Sequence, residues 1–136
     1  MIVKLVGNNC LLFLLLTALL GGCSSAPILN NVRTARDEGG TQLTNLFSRT
    51  DTVYVVSELA NGVKGDVVSS KWYAQAVKGI DPNYLLDEEK IQIDESGPYT
   101  LHFDFPPPGG GWITGTYKVE VYFNNELRGT VRFKIE

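Results

Sequence analysis

Cysteine is nearly absent from this chain of 136 residues: there are two, Cys10 and Cys23, and both lie close to the start. No cysteine follows them, so the rest of the chain has no disulfide, no zinc-thiolate site and no thiol nucleophile. It has to hold together by packing alone. Histidine is limited to His102. Basic charge is not in excess either: 12 Lys and Arg stand against 15 Asp and Glu, a net charge of −3. This argues against nucleic-acid binding by phosphate neutralisation, which normally uses a basic surface. No Gly-rich phosphate loop precedes a helix pattern, no EF-hand loop occurs, and Ser69-Ser70 lacks the setting of a nucleophile elbow. The length leaves no room for a large α/β enzyme of the barrel or doubly wound plan.

Long apolar runs are confined to the beginning. Lys4 precedes the run Cys10–Leu20, and the small residues Gly21 and Gly22 follow. This is the plan of a secretory signal over residues 1–22. The run is short of the roughly 20 residues a comfortable membrane span needs. An uncleaved N-terminal anchor is the alternative. Leu20-Gly21-Gly22-Cys23 resembles the lipobox of bacterial lipoproteins. That resemblance implies cleavage before Cys23 and a diacylglycerol on its thiol. Ser24, where an aspartate would imply inner-membrane retention, points the resemblance to the outer membrane of a diderm cell. Several acyl chains, at about 0.8 kcal/mol per buried methylene, make a stable anchor. The protein is thus expected to be extracytoplasmic, lipid-anchored through Cys23 and most readily placed on the periplasmic face of the outer membrane.

Residues 23–49 read as lipidated cysteine and flexible tether. Ser24–Gly40 is small and polar, with Pro27 and a closing Gly39-Gly40, and carries no sustained stripe. A short helix over Asn31–Glu38 is the alternative. Thr41–Leu46 reads as a turn or a first edge strand.

Residues 50–136 read as a β domain. Val53, Val55 and Leu59 share one face of a first strand, with Ser57 between them. Asp66–Ala74 puts Val68, Ser70 and Trp72 together, opposite Val67, Ser69, Lys71 and Tyr73. Val77–Asp87 is irregular, a crossing strand or a loop. Lys90–Asp94 alternates with Ile91 and Ile93 inward. Tyr99, Leu101, Phe103 and Phe105 share a face before Pro106–Gly111 stops the strand. The closing hairpin is clearest: Tyr117, Val119, Val121 and Phe123 inward, then Asn124-Asn125-Glu126, then Leu127, Val131, Phe133 and Ile135 inward with Gly129. One apolar and one wet face is the mark of antiparallel sheets. Six or seven such strands bury their apolar faces only as two layers, so an antiparallel β-sandwich of about seven strands is predicted. A barrel of five or six strands is the alternative.

The run Trp112–Tyr122, with Gly115, Tyr117, Val119 and Val121 in a Gly-x-Tyr-x-Val-x-Val strand, resembles the closing hairpin of immunoglobulin-like and fibronectin-III-like domains of bacterial surface proteins. Trp72 fits the inward tryptophan of an early strand. The resemblance implies an all-β, immunoglobulin-like sandwich without the inter-sheet disulfide. It implies no activity, because such folds host many.

Chemistry-bearing constellations are sparse. His102 and Asp104 share a strand face, but two ligands are too few for a structural zinc site. Asp81, Asn83, Asp87 and Glu89 read as a solvated charge run, with an irregular calcium loop as the alternative. No catalytic set, metal site or cofactor is assigned. The candidates for partner contact are Pro107, Pro108 and Trp112, which present rigid apolar area unless Trp112 folds over the open end of the sandwich. Tyr54, Tyr73 and Tyr122 are expected on outer faces, where contiguity with Arg128 or Arg132, which the sequence does not fix, would make a protein- or glycan-binding patch. The sequence therefore predicts a non-catalytic, lipid-anchored binding or accessory module of the bacterial envelope. The alternatives are a structural subunit of an envelope complex and, last, a small carboxylate-based hydrolase.

Overall fold

A computed structural model describes residues 25–136. The signal segment and Cys23 lie outside the described residues. Eight strands follow one another: β1 (Ile28–Ala35), β2 (Leu46–Phe47), β3 (Val53–Gly62), β4 (Val67–Val77), β5 (Tyr84–Gln92), β6 (Gly97–Phe105), β7 (Gly115–Phe123) and β8 (Glu126–Ile135). They form a three-stranded sheet in the order β1-β3-β6 and a five-stranded sheet in the order β2-β8-β7-β4-β5. All pairs are antiparallel except β2 with β8. This is an all-β sandwich of the immunoglobulin-like kind, as the alternation predicts.

The strand faces follow the sequence pattern. Val53, Val55, Ser57 and Leu59 of β3 face Val68, Ser70, Trp72 and Ala74 of β4, and Tyr117, Val119, Val121 and Phe123 of β7. Between the sheets, at one end, the rings of Trp72, Phe105, Trp112, Tyr117 and Phe133 meet with centroids 4.9–6.1 Å apart. Such contacts add about 0.5–1.5 kcal/mol per pair to the burial of the rings themselves. Trp72 donates to Ser70 Oγ at 3.0 Å, so its indole N–H is satisfied inside the core. Tyr117 donates its hydroxyl to the Ile113 carbonyl at 2.7 Å, pinning the start of β7 to the loop before it.

The stretch read as tether is structured. Residues 28–35 and 46–47 are strands, so the β domain begins near Ile28 and not at residue 50. The physical reason lies in a bulge. Asn31 adopts φ 55°, and the register with β3 shifts between Asn30 and Arg33. A bulge breaks the period of two, so Leu29, Thr34 and Ala35 are buried without forming a simple alternation. Val32 packs against β8: a Cβ added at Gly129 would lie 2.6 Å from a Val32 methyl carbon. Phe47 is buried against Phe133 at 5.7 Å.

Of the two readings of the irregular stretch before Lys90, strand or loop, the structure has a strand from Tyr84, the first part of β5, which also carries Asp87-Glu88-Glu89. One further expectation is corrected. Leu127 faces outward and is 50 % exposed. The register of β7 with β8 shifts between Val121 and Tyr122, so Leu127 stands opposite the outward Tyr122.

The segment between β1 and β3 is tied down by carboxylates. Asp37 accepts the N–H groups of Gln42 at 2.7 Å and Thr41 at 3.0 Å. Asp51 accepts the Ser48 N–H and an Arg36 N–H, both at 2.8 Å. Glu58 pairs with Arg33 through two bonds of 2.6 and 3.0 Å, and the Arg33 Nε reaches the Gly40 carbonyl. These donors hold all three carboxyls below their ordinary values of 3.8 for the aspartates and 4.5 for Glu58. Glu89 is opposite in sign: burial first, then the charge of Asp87, push it up. The linkage follows. The three lowered groups stabilise the fold above their unfolded values and lose that contribution as pH falls through their folded ones. Glu89 opposes folding while ionised, and its protonation relieves this as pH falls toward 4.5. The urea midpoint is therefore expected to rise slightly from neutral pH toward 4.5, the unfolded value of Glu89, and then to decline below it. Glu89→Gln removes the rise and Glu58→Gln reduces the decline. A midpoint that stays level through the whole range contradicts this assignment.

Candidate binding face

The outer face of the five-stranded sheet carries the chemistry. β4 and β7 pair so that Ser69 stands opposite Tyr122, Lys71 opposite Glu120, and Tyr73 opposite Lys118. All six point away from the core, because their neighbours Val68, Ser70, Trp72, Val119 and Val121 point into it. Diagonal neighbours on such a face lie within reach of long side chains. The Lys71 ammonium sits 5.2 Å from the Tyr122 ring centroid, and the Lys118 ammonium 4.8 Å from that of Tyr73. Glu120 lies between the two tyrosines and accepts the Tyr122 hydroxyl at 3.1 Å. On the next strand Arg132 donates to Gln75 at 3.1 Å.

The result is a ladder of two aromatic rings, two ammoniums and one carboxylate on a stiff sheet. Cation–ring contacts at exposed sites are worth about 0.5–1 kcal/mol each, so this array is modestly self-stabilised and already ordered. Burial, with help from the Glu120 carboxylate, pushes the Tyr73 hydroxyl up to about 12 and raises that of Tyr122. Both phenols therefore stay protonated at physiological pH and act as hydrogen-bond donors, not as bases or nucleophiles.

The residues singled out from the sequence scatter. Tyr122 belongs to the ladder. Tyr54 lies half-buried on the outer face of the other sheet, its ring 6.0 Å from His102, so the two tyrosines do not share a patch. Trp112 is buried, with 1 % exposure. Its Nε1 donates to the Asp51 carbonyl at 2.9 Å, and its own carbonyl accepts Arg49 Nε at 2.8 Å. It closes the end of the sandwich as a core residue and does not project toward a partner; what it leaves uncovered is part of the wall of a neighbouring cavity. Pro107 is half-buried and Pro108 exposed. Pro108 lines a cavity of about 280 Å3 with Ile80, Leu86, Phe105, Trp112 and Ile113. His102 Nε2 lies 3.9 Å from Glu38 across the outer face of its sheet. Among the described residues no three His, Cys, Asp or Glu side chains converge as metal ligands do. Asp87 and Glu89 are held in β5, apart from the turn that carries Asp81 and Asn83.

Lys71, Lys118 and Glu120 were legible as wet-face residues but not as members of one site. Their adjacency depends on β4 pairing with β7, which is far off in sequence, and on a register that no local pattern fixes. The shared parity of Tyr73 and Tyr122 was the available signal.

No protein-family model matches the chain, and no curated protein sequence matches it. Solved structures do. The chain is similar to a β-glucosidase from Erythrobacter marinus (TM-score 0.55, 11 % identity), over 82 % of this chain and 15 % of that one. It is similar to the β-glucosidase from Listeria innocua in complex with glucose (TM-score 0.52, 12 % identity), over 80 % of this chain and 16 % of that one. It is also similar to the alkylpurine DNA glycosylase AlkC of Pseudomonas fluorescens bound to DNA with an abasic site analog (TM-score 0.52, 11 % identity), over 81 % and 30 %. The chain thus spans less than a third of each of these proteins. At such identities the likeness concerns the fold alone.

Proposed function

We propose that the chain is a non-catalytic, lipid-anchored binding module of the bacterial envelope that engages a partner protein through the Tyr73–Lys118–Glu120–Tyr122–Lys71 face. The observation that carries the reading is the pre-stacked ladder. Tyrosines ordered in advance lose little entropy on binding, and tyrosine and arginine are the residue types that dominate interface energetics. The anchor rests on Lys4, the apolar run and Leu20-Gly21-Gly22-Cys23. The fold adds a constraint to it. Residues 24–27 alone separate Cys23 from β1. At about 3.6 Å per residue this is a leash of under ~20 Å, so a lipidated Cys23 keeps the domain close against the bilayer.

Two measurements test the reading. Labelled palmitate is expected to enter the native protein and not the Cys23→Ser variant, which should shift from membrane to soluble fractions. The Tyr73→Ala/Tyr122→Ala double variant is expected to fold, since both rings lie outside the core, and to lose at least tenfold in affinity for the partner recovered from detergent-solubilised membranes. A double variant that binds as the wild type does would contradict the assignment of the face.

A further inference from the structure

The flank between β5 and β6 carries a second set of features that the ladder does not use. β5 ends the five-stranded sheet and β6 ends the three-stranded one. A strand at the end of a sheet presents backbone N–H and C=O groups to any chain that fits them. Asp87 and Glu89 of β5 stand opposite Trp72 and Ser70, so they lean toward the gap between the sheets. The field of Asp104 on β6 reaches Glu89 there. Among the described residues none of these three carboxylates forms a salt bridge with Lys or Arg. Immediately beside them, Leu86 and Phe105 form walls of the apolar cavity of about 280 Å3, which Ile80, Pro108, Trp112 and Ile113 complete.

We propose that this flank takes an extended, basic segment of a partner protein, which adds as a strand to the free edge of β5, sets lysine or arginine against Asp87 and Glu89, and places one bulky apolar side chain in the neighbouring cavity.

Charge selects this occupant. A second copy of the chain would bring its own acidic β5 edge against the first, and like charges directly opposite are destabilising. A basic strand relieves the clustered carboxylates instead. Its side chains recur on one face every second residue, about 7 Å apart. That spacing allows one residue opposite Asp87 to be basic and the next on the same side to be apolar. Main-chain bonds supply affinity in this mode, and the alternating side chains supply specificity. The inference is independent of the ladder and of Cys23.

The test uses residues 25–136 and a synthetic octapeptide of alternating lysine and valine with one phenylalanine in place of a lysine, so that the ring falls on the same face as the remaining lysines. Amide hydrogen exchange and NMR shifts are followed during titration. The expected result is slowed exchange and shifted signals along Tyr84–Gln92 and around Phe105 and Ile113, binding weakened at least tenfold by Asp87→Asn/Glu89→Gln, and no binding of the glutamate-for-lysine peptide. Both substitutions lie on the flank and preserve size, so folding is expected to survive them, and the unchanged spectrum of the core checks this. Three results would overturn the inference: no binding at millimolar peptide, equal binding by the double variant, or a dimer of the protein itself that buries β5.

Discussion

A chain that begins at residue 50 is expected not to fold. It would lack β1 and β2, and with them the buried Leu29, Thr34, Ala35 and Phe47. Leu29 and Phe47 alone represent roughly 3–6 kcal/mol of apolar burial, at about 1.5–3 kcal/mol per large side chain. The loss does not stop there. β3 would become an edge, and the cover that the β1 side gives to Val56 would go with Arg33, whose guanidinium is fixed between Glu58 and Gly40. Val32 would leave its place over Gly129 of β8. Domains of this size have about 5–15 kcal/mol in hand, and the combined loss consumes most or all of it. Urea unfolding followed by circular dichroism distinguishes the outcomes: a cooperative transition for residues 25–136 and none for residues 50–136. Two transitions within about 1 kcal/mol of each other would show that the first two strands contribute little.

Trp112→Ala carries the next largest expected effect. Its ring meets those of Phe105, Tyr117 and Phe133, and its indole N–H is bound to Asp51 across the sandwich end. Truncating a buried tryptophan costs about 3–5 kcal/mol, and here the Asp51 carbonyl also loses its donor. A fall in melting temperature on the order of 15 °C is expected for a domain of this length. Trp112→Phe keeps most ring contacts and loses the hydrogen bond, so it should fall between the wild type and the alanine variant. The effect separates the two roles weighed for this residue. A binding anchor would show near-native stability on truncation and loss of partner affinity; a closing core residue shows the reverse.

The alternation from Val53 onward made the sandwich legible, because the core-facing side chains sit two residues apart: Val53, Val55, Ser57 and Leu59 in β3, Val68, Ser70, Trp72 and Ala74 in β4, Leu101 and Phe103 in β6, and Tyr117 to Phe123 in β7; Val56 and Ser69 are buried on the outer faces besides. The pattern failed where the backbone departs from the period. The Asn31 bulge hid β1, and the slip at Val121/Tyr122 turned Leu127 outward. β5 was obscured for another reason. As an edge strand it buries little, so Tyr84–Gln92 shows charge where a central strand shows valine. The candidate face was legible only in parity. Tyr73 and Tyr122 were on wet faces by alternation, but their joining to Lys71, Lys118 and Glu120 is a matter of long-range pairing. Trp112 was ambiguous because a loop tryptophan after prolines and glycines looks alike whether it caps a core or faces a partner. The Asp51 carbonyl that receives it lies far away in the chain.

The most direct test of the binding-module account is photo-crosslinking in the native cell, with a photoreactive residue placed at Tyr73, at Tyr122 and, on the opposite sheet, at Tyr54. The account predicts one discrete adduct, of the same size from positions 73 and 122, and none of that size from position 54. An adduct from position 54 alone, or no adduct from the ladder positions in a correctly localised protein, would contradict it.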